Sequence, residues 1–112
     1  MRTIPLLAQV IVTLTLLFHG TVSAVTKEKS AIHTVTIEGM KFIPDVLTVK
    51  VGDTVIWINK DIVPHTATGQ KKEFDSREIK PTRSWKHRVT KKGNLSYSCS
   101  FHPTMKASLI VN

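Results

Sequence analysis

The chain has a single cysteine, Cys99, among its 112 residues. An internal disulfide is therefore excluded, although small exported domains commonly depend on disulfides for their stability. A lone thiol in an oxidising compartment is oxidised, pairs with a second chain or binds a metal ion. Taken alone, Cys99 is also compatible with an inert thiol buried in the core. The residues around Cys99 must decide between these possibilities.

Acidic residues are also scarce, with 8 Asp and Glu against 16 Lys and Arg and a net charge of +8. A basic surface favours an acidic partner or an anionic membrane surface. We expect no nucleic-acid partner, because an exported protein seldom meets nucleic acid. The two lysine pairs, Lys71-Lys72 and Lys91-Lys92, are interpreted as solvated turns rather than as a dedicated docking patch.

The beginning of the chain has the pattern of a secretory signal peptide. Arg2 is its only charged residue before position 27, and an apolar run over residues 6–18 precedes small residues that end at Ala24. An uncleaved membrane anchor is the alternative, but a spanning helix needs about 20 apolar residues and this run is shorter. We predict a signal peptide over residues 1–24, cleaved after Ala24. The mature domain over residues 25–112 is then exported, for example to a periplasm, without stable membrane insertion.

No window of ten or more residues has a helical period of apolar residues. Short alternating or β-branched segments separated by Gly, Pro and Asp instead predict strands over residues 32–37, 46–51, 54–59, 84–89, 95–99 and 107–111. Strands of this length and spacing predict a single all-β domain, an antiparallel sandwich or barrel. The polar stretch over residues 69–80 is predicted to be a surface excursion with one helical turn at residues 72–75.

Four side chains form a candidate metal site. Cys99, His102 and Met105 stand at positions i, i+3 and i+6 in the short connection between the last two predicted strands. His65 follows the strand that ends at Asn59, and two loops at the same end of a sandwich can meet. Each residue alone has a simpler explanation, as a buried thiol, a loop histidine or a core methionine. The spacing favours the ligand interpretation for Cys99, His102 and Met105.

These ligand types select copper. A trigonal site of two histidines and a cysteine, with a weak axial methionine, is typical of a blue-copper electron-transfer centre. Zinc accepts cysteine and histidine but rarely methionine, and its structural sites are usually richer in thiolate. His33 and Met40 suggest a second, copper-delivery site, but one His and one Met are a thin basis, and Phe42 favours core packing there. His33 and His87 are interpreted as surface residues.

The sequence also resembles a known family. The Cys-x-x-His-Pro-x-Met loop, the run Val-Lys-Val-Gly-Asp-Thr-Val-Ile-Trp-Ile-Asn over residues 49–59 and the following Pro64-His65 resemble the amicyanins within the plastocyanin-like cupredoxins. The resemblance covers residues 35–111, except for a poor match between His65 and Trp85. It implies a Greek-key β-sandwich with one type 1 copper ion at one end. It also implies that His65, Cys99 and His102 are equatorial ligands and Met105 the axial one.

Two residues depart from the family pattern. Thr66 stands where the family usually has an Asn whose side chain helps to fix the Cys loop, and Phe101 stands where it usually has Pro. Both positions lie where hydrogen bonding and burial around the thiolate tune the reduction potential. The ligand set is intact, so these departures bear on the potential rather than on the metal.

The resemblance implies a soluble, monomeric one-electron carrier that cycles between Cu(I) and Cu(II). Its partner is expected to be an acidic redox protein such as a cytochrome or a dehydrogenase, reached through the edge of His102. The alternative is a periplasmic copper-handling protein, either a copper carrier or a resistance factor, which would use the same ligands. We expect no enzymatic activity, because a Cys–His nucleophilic enzyme needs a third orienting group and a substrate cleft.

Overall fold

The computed structural model describes residues 3, 13–23 and 28–112. The predicted cleavage site after Ala24 and half of the predicted signal peptide lie outside the described residues. In the part that is described, no helix has the length and apolar character needed to cross a membrane.

Within the described residues, eight strands form two four-stranded sheets. Their bounds are β1 Ile32–Glu38, β2 Lys41–Ile43, β3 Val46–Val49, β4 Thr54–Asn59, β5 Thr68–Gly69, β6 Ser84–Arg88, β7 Gly93–Ser98 and β8 Lys106–Val111. One sheet has the order β2-β1-β4-β6 and the other the order β3-β8-β7-β5. The chain passes repeatedly from one sheet to the other, and the predicted all-β sandwich is confirmed.

The strand pairing is mixed rather than purely antiparallel. β1 pairs with β4 in parallel, and β3 pairs with β8 in parallel, while the other four pairings are antiparallel. Parallel neighbours must be joined by a crossover connection. Here the connections that carry the chain from one sheet to the other serve as those crossovers.

The core lies between the two sheets and follows the alternation of the strands. On β4, Val55 and Trp57 are fully buried while Ile56 between them is half-buried. Trp57 Nε1–H donates to the hydroxyl oxygen of Tyr97 on β7 at 3.2 Å, so the polar atoms of both rings are paired inside the core. Burial raises the pKa of Tyr97 to about 12. This bond joins the two sheets directly below the loop that carries Cys99.

A two-residue turn of Gly39 and Met40 joins β1 to β2, with Glu38 paired to Lys41. Both turn residues have positive φ, 61° and 60°, as a tight hairpin of this kind requires. Met40 therefore points outward and is 41% exposed, while Phe42 is buried. The core packing expected in this region holds for Phe42 but not for Met40.

The segment between β5 and β6 differs from the prediction. It contains no helical turn, and Phe74 and Ile79 are buried in the core at 5% and 2% exposure. Phe74 packs on Trp57 with ring centroids 5.4 Å apart. The prediction was wrong because the many polar residues of this segment outweighed its two buried apolar residues. The segment is a packed part of the sandwich rather than a surface excursion.

Candidate metal centre

The loop after β4 is organised by Asn59, which is fully buried. Its side-chain amide donates to the carbonyl oxygens of Val63 and Ile79 at 2.8 and 2.9 Å. Its side-chain oxygen accepts the N–H of Asp61 at 2.9 Å. One amide therefore closes the loop on itself and fixes it to the neighbouring segment, which sets the path of the chain toward His65.

His65 is completely buried at the end of this loop. Its backbone exchanges two hydrogen bonds with Ile79, at 3.1 and 2.7 Å. Its Nε2 lies 2.8 Å from Oδ2 of Asp61. An ionised carboxylate can only accept, so Nε2 carries the proton and Nδ1 is left as a free ligand atom.

Asp61 connects this histidine to the turn between β1 and β2. Its two oxygens accept the N–H groups of Gly39 and Met40 at 2.7 and 2.9 Å. Burial of the carboxyl group opposes ionisation, but these two N–H donors and the imidazole of His65 together hold its pKa below the usual value of an aspartate. The ionised carboxylate is thus the form that this environment favours.

The second loop runs from the end of β7 to the start of β8 and brings three predicted ligands together. The His102 N–H donates to the Cys99 carbonyl at 3.2 Å, the Met105 N–H to the His102 carbonyl at 2.9 Å, and the Cys99 N–H to the Met105 carbonyl at 3.1 Å. These bonds fold the loop into a closed unit. Cys99 is 0% exposed and Met105 5%, while His102 is half-buried.

His65, Cys99 and His102 converge, and their ligand atoms all lie within 4.8 Å of one another. Cys99 Sγ lies 3.7 Å from Nδ1 of His65 and 3.6 Å from Nδ1 of His102. Metal bonds of about 2.3 Å to thiolate and about 2.0 Å to imidazole place two ligand atoms about 3.7 Å apart at a trigonal angle. The three side chains therefore fit one transition-metal ion without rearrangement.

Thr66 fixes the Cys99 loop, although the family usually has an Asn at this position. Its N–H donates to Cys99 Sγ at 3.3 Å, and its hydroxyl oxygen accepts the N–H of Ser100 at 2.7 Å. The same hydroxyl lies 3.0 Å from those of Thr68 and Ser100. A shorter side chain thus holds the Cys loop to the His65 loop, with Ser100 completing the contact.

The donor set selects the metal. One thiolate, two imidazoles and a buried thioether from the same loop contain no carboxylate, which disfavours the hard cations. Two histidines and a cysteine with a weak axial methionine describe a type 1 copper site. His65 also has the carboxylate partner that metal-binding histidines usually have on their other nitrogen.

Comparison with known proteins agrees with the fold and this site. The family model described as a cupredoxin-like domain matches residues 7–111. This chain belongs to the cupredoxin family.

The relatives of this cupredoxin include amicyanins. Over 82 residues it is 34% identical to the amicyanin of Paracoccus denitrificans and 29% identical to that of Paracoccus versutus, covering 69% of this chain in both cases. The matched region spans 63% and 62% of those relatives. A solved structure of a methionine-to-alanine variant of amicyanin in the Cu(I) form superposes with a TM-score of 0.66 at 31% identity, covering 72% of this chain and 82% of the other.

The cofactor of this amicyanin-like cupredoxin is one copper ion, for which His65, Cys99, His102 and Met105 are positioned as a type 1 site. Sequence reasoning missed Asn59 and Asp61, which hold His65 in place. No local pattern signalled either residue, because their contacts depend on the path of a loop without helical geometry. Phe101, the second residue that departs from the family pattern, is 51% exposed beside His102. This departure is therefore a difference at the protein surface.

Proposed function

We propose that this cupredoxin is a one-electron carrier, with His65, Cys99 and His102 as equatorial copper ligands and Met105 as the weak axial ligand. The observation that carries the proposal is the convergence of Cys99 Sγ with two imidazole Nδ1 atoms at 3.6 and 3.7 Å. Bound copper would supply reversible one-electron chemistry between Cu(I) and Cu(II). A buried site with hydrogen-bonded ligands suits this task, because little has to move when the charge changes.

The protein's part is to hold these ligand atoms still. Asp61 fixes the orientation and the protonated nitrogen of His65. The Thr66 N–H stabilises negative charge on the Cys99 sulfur, and the hydroxyl of Thr66 holds the N–H of Ser100. Burial of Cys99 and Met105 excludes water from the sulfur ligands. The sandwich below supplies the rigidity through the bond between Trp57 and Tyr97.

Electrons would pass through the edge of His102, the one half-buried residue of the four. Two exposed apolar side chains lie in the ligand loops, Phe101 at 51% exposure beside His102 and Ile62 at 94% in the His65 loop. An apolar surface of this kind suits brief, weak complexes with small interfaces. The partner is expected to be an acidic redox protein such as a cytochrome or a dehydrogenase, and the carrier itself is expected to be a monomer without enzymatic activity.

Export belongs to the same proposal. The charge and hydropathy pattern of residues 1–24 supports a signal peptide that is cleaved after Ala24 and a mature domain in the periplasm or an equivalent compartment. Mass spectrometry of the protein recovered from the periplasm of an expressing bacterium tests this. A mass equal to that of residues 25–112 is expected, whereas a full-length, membrane-bound product would show that the segment is an anchor.

The copper-handling alternative uses the same ligands and differs in how readily the ion leaves. Complete burial of His65 and Cys99 favours a retained ion over a transferred one. Incubating the loaded protein with an apo-protein that binds copper more tightly separates the two. We expect release over hours rather than seconds, and fast, complete transfer would favour the copper-handling function.

The central experiment adds Cu(II) to the purified mature protein and records its visible spectrum and redox cycling. We expect an intense thiolate-to-copper band that disappears on reduction and returns on oxidation. The Cys99→Ala variant should lose this band, while His33→Ala, which removes an imidazole remote from the site, should keep it. A Cys99→Ala protein with unchanged colour and copper affinity would disprove the proposed site.

A further inference from the structure

Two lysine pairs that are separate in the sequence meet on one face of the fold. Lys71 and Lys72 follow β5, Lys91 and Lys92 precede β7, and all four line one surface pocket of about 720 Å³. We call these four residues the lysine cradle. Each pair alone is typical of a solvated turn, and only the antiparallel pairing of β5 with β7 places the turns side by side.

The charge of the lysine cradle is not neutralised within the protein. All four lysines are exposed, and none of them forms an ion pair in the part of the chain that the structure describes. One carboxylate, that of Glu73, lines the same pocket. Its Oε1 accepts the backbone N–H of Lys71 at 2.8 Å, so this carboxylate stabilises the turn rather than pairing with a lysine side chain. The cradle therefore presents a concentrated positive charge to an anionic partner.

The floor of the pocket is formed by the part of β7 whose edge β5 does not cover. Along β7, β5 pairs only with Ser98 and Tyr97, and Gln70 adds one bond from its N–H to the Ser96 carbonyl at 3.0 Å. Backbone groups alternate between the two sides of a strand. Asn94, two residues before Ser96, thus directs its N–H and C=O toward the cradle side. An extended peptide could pair there between the two lysine pairs.

The Lys91-Lys92 side of the lysine cradle lies at the end of β7 that is far from the ligand residues. Gly93 begins β7 and Cys99 follows its end, so six residues of extended chain separate them by about 20 Å. The ligand end of the molecule exposes the apolar side chains Phe101 and Ile62 instead. A partner seated on the cradle would leave the half-buried edge of His102 uncovered.

We propose that the lysine cradle is a docking site for an acidic, extended segment of a partner protein, which tethers the carrier while its His102 end stays open. The identification of this partner as a redox protein rests on the proposed function. Binding to the cradle does not, since it needs neither copper nor Cys99.

The test measures binding of a ten-residue polyglutamate peptide to the copper-free Cys99→Ala protein, by calorimetry and by NMR. We expect amide shifts confined to residues 70–73 and 91–96, with none at Phe101 or His102, and binding that weakens as salt is raised. The double variant Lys71→Gln/Lys91→Gln should bind about tenfold more weakly. The control Lys80→Gln/Lys86→Gln removes the same charge from exposed positions outside the cradle and should change the affinity less than twofold.

Three results would overturn the proposal: shifts spread over the whole basic surface, equal losses in the two double variants, or no binding of the peptide. Inorganic tripolyphosphate serves as a second probe, and binding of tripolyphosphate without the peptide would identify a small-anion site instead. Because this experiment omits copper, its failure leaves the electron-carrier proposal standing, and loss of copper colour in the central experiment leaves the cradle standing.

Lys72 allows a control for folding. Its φ is +60°, a conformation that Asn adopts more readily than Lys. Lys72→Asn should therefore weaken peptide binding while the thermal midpoint stays equal or rises. A fall in both would mean that Lys72 acts by supporting the turn, which contradicts a direct role in docking.

Discussion

At the scale of single residues, Asp61 joins the turn between β1 and β2 to His65, two parts of the molecule that the sequence keeps apart. It accepts hydrogen bonds from the β1–β2 turn and holds Nε2 of His65. We predict that Asp61→Asn weakens copper binding about 10- to 100-fold and raises the reduction potential. The potential rises because a negative charge beside the imidazole favours Cu(II) over Cu(I). Competition titration with a chelator measures the affinity and voltammetry measures the potential.

The matched control for this prediction is Glu38→Gln. Glu38 ends β1 and is exposed, so its substitution removes the same charge without touching His65. Its copper affinity should match that of the unmodified protein. Equal effects from both variants would mean that Asp61 acts only through the overall charge.

Thr66 gives a second prediction at this scale. Thr66→Ala leaves the N–H of Ser100 without its 2.7 Å acceptor, which should lower the free energy of unfolding by about 1–3 kcal/mol. Thr66→Ser keeps the hydroxyl and should lose less than half as much. Urea unfolding of the copper-free proteins measures both, and identical losses would contradict a role for the hydroxyl.

The proposed ligand residues Cys99, His102 and Met105 stand out in the sequence because they lie on one short loop with a recognisable order. Asp61 does not, because its contact with His65 depends on the loop path that Asn59 fixes through three hydrogen bonds. A spacing of four residues in a loop without helical geometry says nothing about which side chains meet. A short stretch of sequence therefore indicates the proposed ligands, but the residues that hold a ligand in place depend on the path of the whole loop.

At the scale of elements, the segment between β5 and β6 supports the metal end from the side. Phe74 packs on Trp57 and Tyr97, and Ile79 pairs with the backbone of His65. We predict that Phe74→Ala lowers the free energy of unfolding by about 3–5 kcal/mol. Phe101→Ala makes the same chemical change at an exposed site and should stay within about 0.5 kcal/mol. Chemical denaturation compares them, and similar losses would contradict the packed role of this segment.

The β3–β4 turn is held to the start of β1 by Asp53. Its carboxylate accepts the N–H groups of Ala31 and Lys50 and bonds to His33 Nε2, and these contacts lower its pKa to about 2. A carboxyl whose pKa is lower in the folded state than in the unfolded state stabilises the fold above the unfolded value. That contribution is lost as the pH falls from about 4 toward 2.

Asp53→Asn should therefore have a lower thermal midpoint than the unmodified protein at pH 6, and this difference should shrink as the pH approaches 2. Calorimetry across this pH range measures it. Asp45→Asn, which removes an exposed carboxylate, provides the reference. A difference between Asp53→Asn and the unmodified protein that does not change with pH would show that the carboxylate's charge is not what stabilises the turn.

The longer strands could be predicted because their alternation or β-branching is visible over four or more residues. β2 and β5 contain three and two residues, too few for a period to show. β2 is specified by the two-residue turn that precedes it, and β5 by its tertiary pairing with β7. The parallel pairing of β1 with β4 is likewise a property of the whole chain path, which no local pattern encodes.

At the scale of the whole molecule, the formal charge of +8 would steer an acidic partner of the proposed carrier over a long range. We predict that the rate of electron transfer with an acidic redox protein falls at least tenfold between about 20 mM and 0.5 M salt. Stopped-flow kinetics measures this rate. Hydroquinone, an uncharged reductant of the same site, should show little salt dependence, and a protein partner that behaves like hydroquinone would contradict electrostatic steering.

The single thiol has a further consequence. Cys99 is 0% exposed and no other cysteine competes with it, so an alkylating reagent can react only when the loop between β7 and β8 opens. When reclosing is faster than alkylation, the rate of labelling reports the equilibrium population of the open form. Mass spectrometry of Cys99 alkylation can therefore measure the opening of this one loop without any introduced probe.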